Sequence, residues 1–314
     1  MNHFLFMNAT NPTLIVIAGP TASGKTAAAI QLAQHFNTVV VSADSRQFFR
    51  EMSIGTAKPT DAELAAAPHY FINSHSVLEP FSVGDYEREC LQLLDELFKV
   101  NKLVVLVGGS GLYIKAITEG FDDLPTADAD IRDRLNTELA ARGIHVLQER
   151  LKEVDPEYYQ LVDINNPQRI IRALEVYEAT GKPFSSYLTA KGNSRPFNII
   201  KLALDMPRET LYDRINRRVD LMVQDGLLPE VESLVTYKHY NALNTVGYTE
   251  LFDYLDGRVS LDDAIEQIKQ NTRRFAKRQL TWFRKDKDII WVDTSDVNLT
   301  ENILAAIEKI LPSA

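Results

Sequence analysis

The sequence predicts an α/β protein: a parallel sheet covered by helices, with an all-helical insertion. Three observations predict it. From residue 12 to 118 short apolar runs alternate with helix-favouring stretches, the βαβ pattern of a parallel sheet. From Ala127 to Tyr187 the pattern is helical, with no strand-like run. At Asn198–Asp205 an apolar strand, NIIKLALD, returns. The core is therefore expected at 1–118 and 198–314, and a helical insertion domain at 119–197.

Each element follows from local pattern. Leu14-Ile15-Val16-Ile17-Ala18 is a short apolar run and predicts a buried strand over 13–18. Ala27 to Ala33 is rich in strong helix formers, so a helix is expected over 25–36. Further strands are expected at 38–42 and 102–107, and helices at 84–99 and 111–118. Glu119 to Thr126 is an acidic turn with Gly120 and Pro125, and Lys191 to Pro196 is a loop. After the strand at 198–205, helices are expected over 208–225, 227–240 and 260–285. A last strand at 288–292 and a closing helix at 299–311 complete the chain.

Composition excludes several classes. With 314 residues the chain has room for one large or two modest domains, and 45% apolar content is ordinary for a globular protein. No run of 18 uncharged apolar residues exists, so no membrane span is expected. Met1 to Asn11 lacks the basic start and cleavage site of a secretory signal. The single cysteine, Cys90, allows no internal disulfide and no cysteine-based metal site, and fits a reducing cytoplasm. Its place in a helical pattern makes it core filler.

The net charge of −9 argues against a nucleic-acid partner, but its distribution reverses the argument. Between Lys269 and Lys287 stand eight basic residues and one acid, a local +7 against −16 for the rest. An RNA backbone responds to such a patch, not to the whole-chain charge.

Gly19-Pro20-Thr21-Ala22-Ser23-Gly24-Lys25-Thr26 matches G-x-x-x-x-G-K-[ST], the phosphate-cradling P-loop. Strand before and helix after are the context that motif requires. The turn aims backbone N–H groups and the positive helix end at a polyphosphate. Lys25 adds a point charge and Thr26 a hydroxyl for Mg²⁺. The core is accordingly expected to be P-loop NTPase-like, with nucleotide or ATP binding implied by this motif only.

Five further stretches bear on chemistry. Val39 to Ser42 ends in Ala43-Asp44-Ser45-Arg46-Gln47, which puts a carboxylate at the strand edge where α/β proteins bind ligands. Asp44 is a Mg²⁺-bound acid, a general base, or a solvated turn aspartate. Gln47 carries donor and acceptor on one amide, which suits a base edge. Leu103 to Val107 runs into Gly108-Gly109-Ser110-Gly111, glycines where many P-loop ATPases place an aspartate. That turn permits close backbone approach and offers one hydroxyl, or serves only as a tight turn. Asn166-Pro167-Gln168-Arg169 opens a helix on which Gln168 and Arg172 share a face. On the helix at 208–218, Leu211, Ile215 and Val219 face one way, and Arg214, Arg217 and Arg218 cluster opposite, as an anion clamp or a plain surface. In the basic helix, Phe275, Ala276, Gln279, Leu280, Trp282 and Phe283 fall within about 160° and are expected in the core. Arg273, Arg274, Lys277, Arg278, Arg284 and Lys285 take the opposite arc, suited to phosphates or merely solvated.

Taken in order, these stretches resemble the bacterial tRNA dimethylallyltransferases (tRNA isopentenyltransferases). The matching segments are GPTASGKT at 19–26, SADSRQ at 42–47, IGTAKP at 54–59, FSVGDY at 81–86 and VGGSGLY at 107–113. NPQRIIRALEVYEATGKP at 166–183, VGYTEL at 246–251 and RRFAKRQLTWFR at 273–284 complete the set. Members of that family usually carry threonine where this chain has Ser110, and often methionine where it has Arg46.

The resemblance implies transfer of a dimethylallyl group from dimethylallyl diphosphate to N6 of the adenosine 3′ of the anticodon. It implies a pyrophosphate rather than ATP on Gly19, Thr21, Ala22, Ser23, Gly24, Lys25 and Thr26, assisted by an arginine of 214–218, Arg214 and Arg217 being the candidates, with Mg²⁺ at Thr26. It implies Asp44 as general base, Lys25 and Thr26 acting on the leaving group, and Ser110 positioning the reacting groups. Asp44, Ser45, Arg46, Gln47, Ser110, Gln168, Arg169, Arg172, Arg274, Lys277 and Arg278 would meet the tRNA anticodon arm, with the helical insertion closing on it. A cytoplasmic monomer with no membrane contact is expected. The rival classes are a small-molecule kinase, opposed by the missing strand-end aspartate after Val107, and a non-catalytic RNA-binding protein, which leaves Lys25 and Asp44 unexplained.

Overall fold

The computed structural model describes residues 11–121, 125, 129–188, 194–294 and 299–310. The expectations at 1–10, 122–124, 126–128, 191–193 and 311 lie outside the described residues.

Six parallel strands form one sheet in the order β3-β2-β4-β1-β5-β6. They are β1 (Thr13–Ala18), β2 (Val40–Ser42), β3 (His69–Tyr70), β4 (Leu103–Gly108), β5 (Asn198–Asp205) and β6 (Ile290–Asp293). β1 is central, paired to β4 and β5, and its six residues are all buried. Its alternating side chains serve two layers. Leu14 and Val16 join Tyr86, Cys90, Leu94, Ile114 and Ile117 from α3 (Val83–Leu97) and α4 (Gly111–Thr118). Ile15 and Ile17 join Ala29, Leu32, Ile303 and Ile307 from α1 (Lys25–His35) and α13 (Leu299–Glu308). With both faces covered, β1 and β4 read as nearly continuous apolar runs. The short α2 (Asp61–Ala66) precedes β3, which is two residues long, too short to leave a pattern in the sequence.

By internal packing the chain divides at Thr118/Glu119 and Ser194/Arg195. Arg195 is tied to the sheet-bearing unit: it donates to Ile117 O at 2.8 Å and pairs with Glu87 at 2.8 Å.

The unit at 119–194 is helical: α5 (Ala129–Arg142), α6 (Ile144–Val154), α7 (Pro156–Leu161) and α8 (Pro167–Thr180). Gly143 separates α5 from α6, while Asp155 caps α7 and Asn166 caps α8, each ahead of a proline in the first turn. Leu135, Leu147, Leu151, Ile170, Ile171 and Leu174 make its own core.

Beyond β5 come α9 (Arg208–Gln224), α10 (Leu227–Ser233), α11 (Tyr248–Leu255) and α12 (Leu261–Phe283). The helix expected over 227–240 stops at Ser233 and gives way to short 3₁₀ turns. α11, which starts after Gly247 at φ 98°, is an element the sequence pattern does not predict. Val219, Leu227, Val231, Leu251, Ala264 and Ile268 pack these helices on Phe48, Phe49 and Met52.

Candidate active site

The register aligns Ala18 with Gly108 on one side and Ala203 on the other, so β1 and β4 end together. The turns leaving these strand ends form the site. After β1 comes the glycine-rich turn. Gly24 sits in the left-handed region at φ 92° and starts α1. Ala22 takes φ 64°, an unusual conformation for a side-chain-bearing residue. A Cβ on Gly19 would lie 3.0 Å from Leu204 O. Lys25 Nζ donates to Pro20 O at 2.5 Å, curling over the turn. Its pKa is pushed down to about 7, by burial first and the Arg218 charge second, while Asp44 opposes the shift. Ser23 Oγ is buried with no hydrogen-bond partner.

After β2 comes Asp44. Its Oδ1 accepts the N–H of Arg46 at 2.9 Å and of Gln47 at 3.4 Å, which holds the carboxylate at the strand edge. Ser110, after β4, accepts the N–H of Ser45 at 3.1 Å through its hydroxyl oxygen, joining two strand ends. Gly108 permits this: a Cβ there would lie 2.5 Å from Ala43 O.

Lys25, Thr26, Asp44, Ser45, Arg46, Gln47, Ser110, Arg218 and Arg278 line one pocket of about 390 Å³. Ile215, Val219, Met222, Leu227 and Ile268 supply an apolar wall. The pocket thus joins an anion cradle, a carboxylate and an apolar wall large enough for a small hydrocarbon group.

The structure alters several sequence expectations. Arg214 and Arg217 are exposed and do not line the pocket; Arg218 does, donating to Thr21 Oγ1 at 3.3 Å. Helix phase explains it. Arg218 lies three and one positions from the buried Ile215 and Val219, on their side of α9. Burial lowers its pKa while the Asp44 charge raises it. Phe275 and Trp282, expected in the core, are 37% and 39% exposed; Ala276, Gln279 and Phe283 are the buried face there. Gln47 is already engaged: Nε2 donates to Thr56 O and Ala57 O at 3.2 and 3.1 Å, and Oε1 accepts from Ser42 Oγ at 3.3 Å. Arg46 makes long contacts of 3.4 Å to Ser45 O and Asn244 O. On α8, Gln168 and Arg169 are exposed, while Arg172 reaches Glu175 at 3.6 Å and Pro125 O at 3.2 Å.

Two further positions belong to the site without a place among the sequence candidates. Gln279 is buried on the basic helix and connects both glycine turns, accepting from Thr21 N and donating to Gly109 O at 2.9 Å each. A polar residue inside an apolar arc is its signal. Glu230 accepts the N–H groups of Ser53, Ile54 and Gly55 at 2.8–3.0 Å and the Tyr248 hydroxyl at 2.6 Å. It thereby pins the loop whose Gly55, Thr56 and Ala57 form part of the pocket. Nothing local in the sequence marks that pairing, since 175 residues separate Gly55 from Glu230.

The model of the family described as IPP transferase matches residues 47–286. The chain belongs to the IPP transferase family. A tRNA dimethylallyltransferase of Christiangramia forsetii is 55% identical over 94% of this chain and 97% of its own length. One from Cytophaga hutchinsonii is 50% identical over 96% of this chain and all of its own. Among solved structures, the full-length tRNA isopentenylpyrophosphate transferase of Bacillus halodurans superposes with a TM-score of 0.72 at 38% identity, covering 96% of this chain and 97% of that one. A eukaryotic dimethylallyltransferase described as acting on tRNA gives 0.81 at 27% identity, over 96% of this chain and 79% of that one. The IPP transferase match begins at Gln47, so the phosphate turn and Asp44 precede it and are covered by the full-length relatives. The expected α/β fold and family therefore hold.

Proposed function

We propose that this chain transfers the dimethylallyl group of dimethylallyl diphosphate to N6 of the adenosine 3′ of the anticodon in tRNA, releasing diphosphate. One observation carries the reading: a single pocket holds the anion cradle of Lys25, Thr26 and Arg218 beside Asp44 and Ser110. An allylic C–O bond breaks readily when the departing charge is neutralised, and preorganised donors do this best in a dry site. Lys25, Arg218 and the amides at the start of α1 supply that stabilisation. Arg218 replaces Arg214 and Arg217 in this role. Val219, Met222, Leu227 and Ile268 shelter the five-carbon group from water.

N6 of the adenine attacks the allylic carbon. The C–N bond forms as the C–O bond breaks, and the N6 proton passes to the Asp44 carboxylate. The Ser110 hydroxyl, whose oxygen is held by the Ser45 N–H, keeps its own proton free to orient a reacting group. The adenine leaves its stack to reach the pocket.

Mg²⁺ fits the donor set: the Thr26 hydroxyl, a hard oxygen in the pocket, would hold it, which leaves the Asp44 carboxylate free as the base. Mg²⁺ keeps several waters and takes substrate phosphate oxygens, so one protein oxygen suffices for it. When bound it would add positive charge on the leaving diphosphate.

Arg274, Lys277 and Arg278 on α12, and Gln168, Arg169 and Arg172 on α8, are assigned to the anticodon arm, on which the helical unit would close. Ser45, Arg46 and Gln47 line the pocket where the adenine would enter. We infer action as a monomer in the cytoplasm, where tRNA is found. No helix among the described residues is long and apolar enough to cross a membrane.

The test is direct. Incubation with dimethylallyl diphosphate, Mg²⁺ and unmodified tRNA, followed by nucleoside mass spectrometry, should reveal N6-dimethylallyl adenosine without ATP. Product that appears only with stoichiometric ATP cleavage would favour a kinase or ATPase instead.

A further inference from the structure

α12 carries two large aromatic rings at the surface, where an apolar core arc was expected. Phe275 is 37% and Trp282 39% exposed. They are seven residues apart, two turns on one face, about 10.5 Å along the axis. Phe275 lines the pocket, and the Arg278 guanidinium lies over its ring at 5.7 Å. Trp282 packs against Gly111, the residue after Ser110, where an added Cβ would lie 2.2 Å from the indole. Phe275 thus stands on the pocket, and Trp282 lies against the residue that follows its Ser110 lining. The cations beside them lack acidic partners: among the described residues, Arg274, Lys277, Arg278 and Lys285 have no carboxylate partner, and Arg274 donates to the neutral Asn271 amide at 3.2 Å.

Exposed rings in a row of unpaired cations match single-stranded nucleic acid, whose phosphates meet the charges and whose bases stack on the rings. We propose that Phe275 and Trp282 are stacking platforms for two bases of the RNA loop flanking the extruded adenosine. Their spacing is about three times the roughly 3.4 Å step of a continuous stack. The rings therefore receive bases already parted from one another, as in a strand splayed around a flipped nucleotide. This rests on RNA being the substrate. It adds a positioning role that holds the loop open beside the pocket.

The experiment uses an unmodified anticodon stem-loop RNA. The chain has two tryptophans, so Trp291→Phe leaves Trp282 as the only indole. Its emission should be quenched on RNA binding. Phe275→Leu and Trp282→Leu should each weaken RNA binding by about 5- to 150-fold, the range for one stacked base. The slope of log K against log salt should stay unchanged, because no phosphate contact is lost. Phe275→Tyr and Trp282→Phe, which keep a ring, should restore most of the affinity. Unquenched emission with less than a twofold loss in both leucine variants would overturn the platforms, as would leucine variants that lose pyrophosphate binding and RNA binding equally. Failure of the wild-type protein to bind the stem-loop would instead strike the RNA reading itself.

Discussion

Gln279 reaches from the basic helix into the phosphate turn: its Oε1 accepts the backbone N–H of Thr21 at 2.9 Å. The same amide donates to Gly109 O at 2.9 Å, and Gly109 has no side chain because one would collide with it. Three segments distant in sequence are thus locked around one side chain. The Thr21 N–H is consumed by this bond, so the diphosphate must rely on the amides nearer α1, with Arg218 holding the Thr21 hydroxyl.

Gln279→Leu preserves volume but leaves the Thr21 N–H and Gly109 carbonyl unpaired. Each orphan costs roughly 1–3 kcal/mol. The variant should unfold at lower denaturant with an unchanged m-value and bind inorganic pyrophosphate more weakly. Wild-type pyrophosphate affinity in a destabilised Gln279→Leu would show that the bond holds the fold but not the cradle.

Lys25 gives a pH signature. Its pKa is lowered to about 7 in the protein from an ordinary 10.5. Between those values the unfolded chain binds the proton that the folded one has released, so Lys25 makes stability fall as pH drops through that window and rise as pH increases through it. An anion beside it reverses the shift, so pyrophosphate binding takes up a proton and weakens as pH climbs above about 7. Lys25→Met should flatten both trends beyond what the titration of pyrophosphate itself contributes. Chemical denaturation and calorimetry across pH 6–10 measure them, and identical profiles for the two proteins would remove Lys25 from the cradle.

Asp44→Asn keeps an oxygen to accept the Arg46 and Gln47 amides, so the strand edge should survive. Loss of the base should lower kcat by roughly 10²–10⁴-fold with RNA affinity little changed. Near-normal turnover would assign the proton to another group.

Glu230→Ala removes the acceptor of three backbone N–H groups and the Tyr248 hydroxyl. The loop over 53–57 should loosen, and with it Gln47, whose amide hangs on Thr56 O and Ala57 O. Hydrogen exchange of the Ser53–Gly55 amides should rise sharply in Glu230→Ala and only modestly in Glu230→Gln, which keeps one acceptor oxygen. Unchanged protection in Glu230→Ala would mean that the loop is held by other contacts.

The legible parts of this site are those written in contiguous residues. The phosphate turn, Asp44 at a strand end and the glycines after β4 can be read because a strand, a turn and a helix come within a few positions of one another. The parallel core shows in β1 and β4, which are apolar on both faces, and in β5, where Lys201 interrupts an otherwise apolar middle. What escapes depends on which side of a helix meets the pocket. On α9 the arginines at 214, 217 and 218 are equivalent in composition, and only packing of Ile215 and Val219 selects Arg218. On α12 the true apolar arc is narrower than the pattern suggests: small Ala276 and polar Gln279 face inward, while Trp282 stays part-exposed beside Gly111. Trp282→Ala should accordingly cost less than the roughly 3–5 kcal/mol of a fully buried ring.

The cationic row of α12 is open to a direct test. Arg274, Lys277 and Arg278 are exposed and without carboxylate partners among the described residues, whereas Lys269 is tied to Asp220 and Glu266, and Arg284 lies 3.6 Å from Asp205. The local +7 is thus unevenly available, and these three are its free part beside the pocket. Phosphate contacts position RNA without reading its sequence. Changing all three to glutamine should weaken binding to every tRNA about equally and reduce the slope of log K against log salt by roughly 2–3, near one unit per lost contact. Pyrophosphate affinity should hold, because Lys25 and Arg218 are untouched, and so should the fold, because Ala276, Gln279 and Phe283 keep the buried face. A salt titration of tRNA binding decides it: an unchanged slope would make the row an ordinary solvated face and move the RNA path off α12.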